Sequence, residues 1–189
     1  FKKSIIPDSV KYVMFHNARN IRRKHTSDLI LAWKEFMDKV TNKSQCMFIL
    51  HTDPVDENGS IERALKLAKR LKKEGMQICI DLHFSDTWAD PGHQSIPAAW
   101  NQEDIEVLAT QLRNYTKQTL KKFKDAGCTP QWVQLGNEIT NGMLWPLGAM
   151  NSNDETQWQN LSKLLDAAHR GMRTVTPNAK SILHLECGG

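Results

Sequence analysis

The feature that most constrains this fold is a repeated alternation of short apolar runs with longer amphipathic stretches. Residues 10–15 form a weak first strand, 46–51 a second, 76–83 a third, 131–135 a fourth and 181–185 a fifth. A first helix starts at about Ser27 and carries Ile30, Trp33, Met37 and Val40 on one stripe at helical spacing. Ser60 is placed to cap a second, whose inward stripe is Ile61, Ala64, Leu65, Ala68 and Leu71, and Gly75 ends it. Asn101 is placed to cap a third, with Ile105, Leu108, Leu112 and Tyr115 inward and Gly127 at its end. A fourth buries Leu161, Leu164, Leu165, Ala168, Met172 and Val175 and stops at Pro177.

Such alternation implies βαβ units with right-handed crossovers. The near-continuous apolar start of the third strand suits a strand covered by helices, as in a parallel sheet. The two longest loops follow the third and fourth strands, and in a barrel such loops lie at the C-terminal face, where active sites are built. An open doubly wound sheet would want a Gly-rich phosphate loop after its first strand, and none is present. The expectation is a single α/β domain over residues 1–189, a (β/α)8 TIM barrel with about five strands and four helices visible. A complete barrel takes about 250 residues, so at 189 residues the barrel reads as incomplete, its C-terminal strands missing.

Composition removes several function classes. The net charge is +4, and most basic residues fall on outer helix faces, as in LAKRLKK and KKFKD. The cluster of Arg19, Arg22, Arg23, Lys24 and His25 has no aromatic interleaving or nucleic-acid motif, so no nucleic-acid partner is expected. No apolar run reaches the roughly 18 residues of a membrane span. Cys46, Cys79, Cys128 and Cys187 contain no CxxC pair, which disfavours zinc-ribbon and redox motifs. The chain begins at Phe1, and no leader is visible to fix the compartment.

Chemistry concentrates in two segments, DLHFSDTWADPGHQSIPAAW from Asp81 to Trp100 and QWVQLGNE from Gln131 to Glu138. Glu138 ends an apolar strand, where a partly buried carboxylic acid can keep its proton for general acid work. An ordinary surface Glu is the competing reading. Asn137 offers a donor and an acceptor to a sugar hydroxyl. Adjacent strand residues point to opposite faces, so both reach one pocket only if the strand turns at its end.

Asp81 and His83 share a strand face and read equally as a buried pair or as substrate contacts. With Asp86, Asp90 and His93 they also leave a metal site open, although no tight ligand motif appears and no metal or cofactor is expected. Trp88, Trp100 and Trp145 sit in loops, where flat indoles suit the apolar side of a sugar or plug a barrel end. Trp33, Trp132 and Trp158 lie within elements and read as core.

DLHFSDTWADPGHQ, the following PAAW, GNE and NGMLWPLG resemble, in order and spacing, the arabinogalactan endo-β-1,4-galactanases of glycoside hydrolase family 53. The resemblance is strong from Gly75 to Gly148 and extends from Asp53 to Glu186. It implies a (β/α)8 barrel that cleaves β-1,4-galactan or arabinogalactan with retention, outside the cell, in the periplasm or at the cell surface. Glu138 matches the acid/base and Asn137 the sugar-contacting Asn. Asp81, His83, Asp86 and Trp88 match the third-strand pocket motif, Trp145 the fourth-loop aromatic and His184 the His near the end of strand five.

The pattern also departs from the family. The family's nucleophile Glu belongs to a seventh strand, which these residues do not include, and Glu186 is a poor substitute. The second strand, MFILHTDP, lacks the family's Arg, and residues 1–45 do not match the family's first strand and helix. A galactan-binding remnant without the hydrolytic pair is the alternative function.

Overall fold

The computed structural model describes residues 12–17, 26–42, 46–51, 61–73, 75–100, 103–150 and 154–185. The chain divides into two compact units, residues 1–79 and 80–189.

In the first unit β1 (Tyr12–Asn17) and β2 (Cys46–His51) pair in parallel, from Tyr12 opposite Cys46 to Asn17 opposite His51. Helices α1 (Thr26–Lys39) and α2 (Ile61–Lys73) follow the two strands. Buried Trp33, Leu71 and Met76 gather Leu29, Ile30, Met37 and Leu67 into a small core. Gly75 ends α2 at φ +75°, with its N–H on the Lys72 carbonyl and the Met76 N–H on that of Leu71. Ser60, the expected cap, lies outside the described residues.

The second unit carries a three-stranded sheet in the order β3 (Cys79–Leu82), β4 (Trp132–Leu135), β5 (Lys180–Ile182). Helix α3 (Ile105–Asp125) connects β3 to β4, and α4 (Glu155–Val175) connects β4 to β5. Strands β4 and β5 run parallel, with Trp132, Val133 and Gln134 opposite Lys180, Ser181 and Ile182. Each helix starts on an aspartate. Asp104 Oδ1 accepts from the Glu106 and Val107 N–H groups, and Asp154 Oδ1 from that of Thr156. The α3 cap is therefore Asp104, and Asn101 falls outside the described residues.

One core fills the space between the helices and the sheet, with Leu108, Leu112 and Leu120 of α3 and Leu164, Ala168 and Met172 of α4 at 0 % exposure. Gly171 allows the close approach, since a Cβ there would sit 2.5 Å from the Arg113 carbonyl oxygen. Leu164 also reaches the loop after β4, its Cδ1 being 2.5 Å from where a Gly148 Cβ would lie. Leu164→Ala removes contacts on both sides, and the expected loss is about 2–5 kcal/mol of unfolding free energy. Urea denaturation measures it; a loss below about 1 kcal/mol would mean that the site collapses around the cavity.

Ser27 lies inside α1 rather than capping it, and the ends of β1, β3 and β4 differ by one to three residues from the expected limits. Three further expectations change. β5 ends at Ile182 rather than residue 185, because β4 leaves the ladder after Leu135 and Leu183 and Leu185 stand exposed. Tyr115 is 38 % exposed and meets the rings of Phe84 and Trp100 edge-on, at 6.2 and 5.5 Å. Trp158 is 59 % exposed, because the buried stripe of α4 begins one turn later at Leu161. Trp33 and Trp132 are buried, as expected. Among the described residues, no helix is long and apolar enough to cross a membrane.

Candidate active site

The loops after β3 and β4 are shaped by left-handed backbone. The non-glycine residues with positive φ among those described are Phe84 (56°), Glu138 (50°) and Leu144 (53°), and each adjoins an expected site residue. The left-handed region costs a non-glycine residue about 1–2 kcal/mol, and it persists where surrounding contacts dictate it.

At the end of β4 those contacts are explicit. The Gly136 N–H donates to the Leu82 carbonyl of β3, and the Ile139 N–H to the His184 carbonyl beyond β5, both at 2.9 Å. Gly136 has φ +89°, and a Cβ there would meet Ile139 Cγ2 at 2.7 Å. The strand thus turns at its end, which releases Asn137 and Glu138 from strict alternation. Asn137 is wholly buried and Glu138 half-buried.

Asn137 joins the neighbouring strand ends. Its Nδ2 donates to the Ala89 carbonyl at 2.7 Å. That contact orients the amide, so Oδ1 is the acceptor facing His184 Nδ1 at 2.9 Å, and His184 carries its proton on Nδ1. Gln134 Nε2 gives Oδ1 a second, longer bond of 3.3 Å. Its 3.4 Å approach to His184 Nδ1 would set two donors together, so the bond to Asn137 is the better assignment.

Asp81 and His83 form a buried pair, Nε2 to Oδ2 at 3.0 Å. The Ala89 N–H donates to His83 Nδ1 at 3.2 Å, which places the imidazole proton on Nε2, the nitrogen nearer the carboxylate. The Trp88 ring lies 4.7 Å from that of His83, tilted by 58°. Through Ala89 the third-strand pair is continuous with Asn137 and His184. These residues make one polar layer across three strand ends.

The remaining expected residues hold loops. Asp86, exposed, accepts the Ala98 N–H at 2.8 Å. The Trp145 indole N–H is occupied by the Asn141 carbonyl at 2.9 Å, so only its ring face is open to a ligand. Trp100 packs against the core. Burial by itself would raise Asp90, but hydrogen bonds from the His93 ring and the Gly92 N–H outweigh it and hold the carboxyl below its usual value. Among the described residues no three His, Cys, Asp or Glu side chains converge as metal ligands. Glu186 lies outside the described residues.

Sequence reasoning passed over Gln94, 2 % exposed, which lies within the quoted DPGHQ run. Its Nε2 donates to the Asn137 carbonyl at 2.7 Å and the Asp90 carbonyl at 3.1 Å, with the Glu138 carbonyl at 3.5 Å. Its own carbonyl accepts the Trp145 N–H at 2.7 Å. A polar side chain inside an aromatic-rich loop was the available signal, but two of its three partners are backbone carbonyls more than 40 positions away.

The family described as glycosyl hydrolase family 53 matches residues 38–189. A probable arabinogalactan endo-β-1,4-galactanase A of Neosartorya fischeri is 42 % identical over 138 residues, covering 72 % of this chain and 37 % of that protein. An arabinogalactan endo-β-1,4-galactanase of Humicola insolens is also 42 % identical over 138 residues, covering 72 % and 40 %. A solved fungal β-1,4-galactanase superposes with a TM-score of 0.64 at 42 % identity, covering 72 % of this chain and 40 % of that one. The family 53 catalytic domain of Ignisphaera aggregans gives 0.63 at 34 % identity, covering 74 % and 40 %. The chain spans about two-fifths of the length of these relatives. These likenesses imply a fold of the TIM-barrel type. With 152 residues under the family's pattern and β4 ending in Gly136-Asn137-Glu138, the chain belongs to glycosyl hydrolase family 53.

Proposed function

We propose that protein carrying this chain hydrolyses internal β-1,4-galactosidic linkages of galactan or arabinogalactan with retention, and that Glu138 is the general acid/base. The observation that carries this is the turn at the end of β4. Glu138 stands half-buried in left-handed backbone, beside a buried Asn137 tied to the loop after β3 and the segment after β5. The galactanase names of relatives 42 % identical supply the substrate class.

In the proposed reaction the Glu138 carboxyl protonates the leaving glycosidic oxygen while a second carboxylate, about 5–5.5 Å away, attacks the anomeric carbon. The resemblance assigns that nucleophile to a seventh strand of a (β/α)8 barrel, of which β3, β4 and β5 would be part of the wall. Glu138 then takes a proton from the water that hydrolyses the glycosyl intermediate. Trp88 and the open face of Trp145 are proposed as sugar platforms, with Asp86 holding the loop between them and His83.

Asp81, His83 and His184 are proposed to contact substrate or to order those that do. Asn137 is proposed to reach the sugar beside the cleaved bond with the part of its amide that protein bonds leave open. No cofactor enters this scheme. A polymeric substrate places the reaction outside the cytoplasm.

The test is reducing-end release from unbranched β-1,4-galactan, with β-1,4-mannan as control. Release from galactan alone is expected. Equal release from mannan, or galactan binding without any cleavage, would overturn the reading.

A further inference from the structure

We propose that Gln94 is the positioning residue for Glu138: its carboxamide holds the Asn137–Glu138 peptide in the one orientation that keeps the acid/base at the end of β4. The proposal rests on Glu138 being that acid/base. Gln94 Nε2 faces the carbonyl oxygens of Asn137, Asp90 and Glu138 at 2.7, 3.1 and 3.5 Å. Three oxygens around one atom make it the amide nitrogen, so the side chain can only be a donor there. Its two hydrogens serve Asn137 and Asp90, and the Glu138 carbonyl is a longer third contact.

The Asn137 carbonyl belongs to the peptide plane whose nitrogen is that of Glu138. Fixing that oxygen restricts the rotation that sets φ of Glu138, the residue at +50°. The flanking peptides are held by backbone bonds, Gly136 to Leu82 and Ile139 to His184. For the plane between Asn137 and Glu138, the hydrogen bond from Gln94 is the side-chain restraint described. Buried at 2 % exposure, Gln94 has no solvent to replace its partners.

The same residue reaches the fourth-strand loop through its main chain, where the Trp145 N–H donates to its carbonyl at 2.7 Å. Residues 95 and 145 continue that contact as an isolated parallel bridge. One residue therefore couples the acid/base peptide to an aromatic proposed as a platform. Its length matters as well: an Asn side chain is one methylene shorter and would not span the same distance.

The experiment uses two substrates, galactan and an aryl β-galactobioside whose leaving group departs without a proton. Four proteins are compared on both: wild type, Gln94→Met, Glu138→Gln and the double variant. Gln94→Met is expected to lower kcat on galactan about 10- to 100-fold, the scale of an ångström-sized misplacement, with KM within a few-fold. In kcat/KM, which reads the glycosylation step alone, the loss should be much smaller on the aryl substrate than on galactan, and the double variant should match Glu138→Gln on both substrates.

Additive losses in the double variant, or equal kcat/KM losses on both substrates, would overturn the proposal. If Glu138→Gln leaves galactan cleavage intact, the acid/base assignment itself fails, and that result is distinct. Should Gln94→Met not fold, Gln94→Glu decides the matter. A protonated carboxyl can donate to the Asn137 carbonyl and an ionised one cannot, so its activity relative to wild type should recover as pH falls. A flat ratio across pH would overturn the proposal.

Discussion

Glu138→Gln is expected to lower galactan cleavage by about 10²–10⁴-fold, the range that a positioned general acid supplies. The substitution keeps the shape of the side chain and removes the transferable proton. Among the described residues, the bonds that shape the turn do not use the Glu138 carboxyl. The hydrogen bonds that shape the turn come from the Gly136 and Ile139 backbone N–H groups and the Gln94 side chain, and the left-handed conformation of residue 138 is as open to Gln as to Glu. Melting temperature and galactan affinity should therefore stay close to wild type while kcat collapses. Cleavage retained within about threefold would remove Glu138 from the chemistry and return it to the role of a surface carboxylate.

The parts of this molecule that the sequence made legible are those fixed by periodicity. Leu108 and Leu112 in α3 and Leu161, Leu164, Ala168 and Met172 in α4 recur at helical spacing, and all are buried. The second strand, Cys46–His51, has the expected limits. Its apolar run stops at a turn-rich segment, so composition alone marks the boundary. The end of β5 was not legible, because it depends on where β4 leaves the sheet. That departure follows from Gly136 and Glu138 taking positive φ, which no apolar count reveals. Trp158 failed for a related reason: it has the right spacing for the stripe but precedes the layer of buried residues.

The site divides in the same way. Residue types with obvious chemistry, Asp81, His83, Asn137 and His184, stood out, and a close carboxylate–imidazole contact with hydrogen bonds through Ala89 now ties them into one layer. What joins them did not stand out. Ala89 links His83 to Asn137 through its main chain alone, and no property of alanine announces that. Gln94 acts on carbonyls 43 and 44 positions away. Backbone partners at long range carry no residue-type signature, so sequence reasoning finds the groups that meet a substrate more readily than those that hold them.

The loop that carries Trp145 yields the second large effect. Gly142→Ala is expected to cost about 2–5 kcal/mol, the sum of left-handed strain and overpacking. At φ +83° the new Cβ would stand 2.0 Å from the Gly148 carbonyl oxygen, 2.9 Å from the Met150 nitrogen and 3.0 Å from the Ala149 carbonyl carbon. All three are backbone atoms, so no side chain can swing aside. Relief requires opening the bridge between residues 142 and 149, with the bonds from the Met143 N–H to the Gly148 carbonyl and from the Met150 N–H to that of Asn141.

Those bonds are not peripheral, since Met143 and Leu144 within the loop are 0 % and 1 % exposed and belong to the main core. The loss should appear in the unfolding transition as a lower urea midpoint at unchanged slope. Gly127→Ala is the matched control: φ is +73°, but a Cβ there has nothing within 4 Å, so only the conformational strain of about 1 kcal/mol remains. If the two substitutions cost the same, the close packing around Gly142 contributes nothing. If Gly142→Ala costs the larger amount and also weakens galactan binding, the packing of this loop and the placement of the Trp145 face are one property.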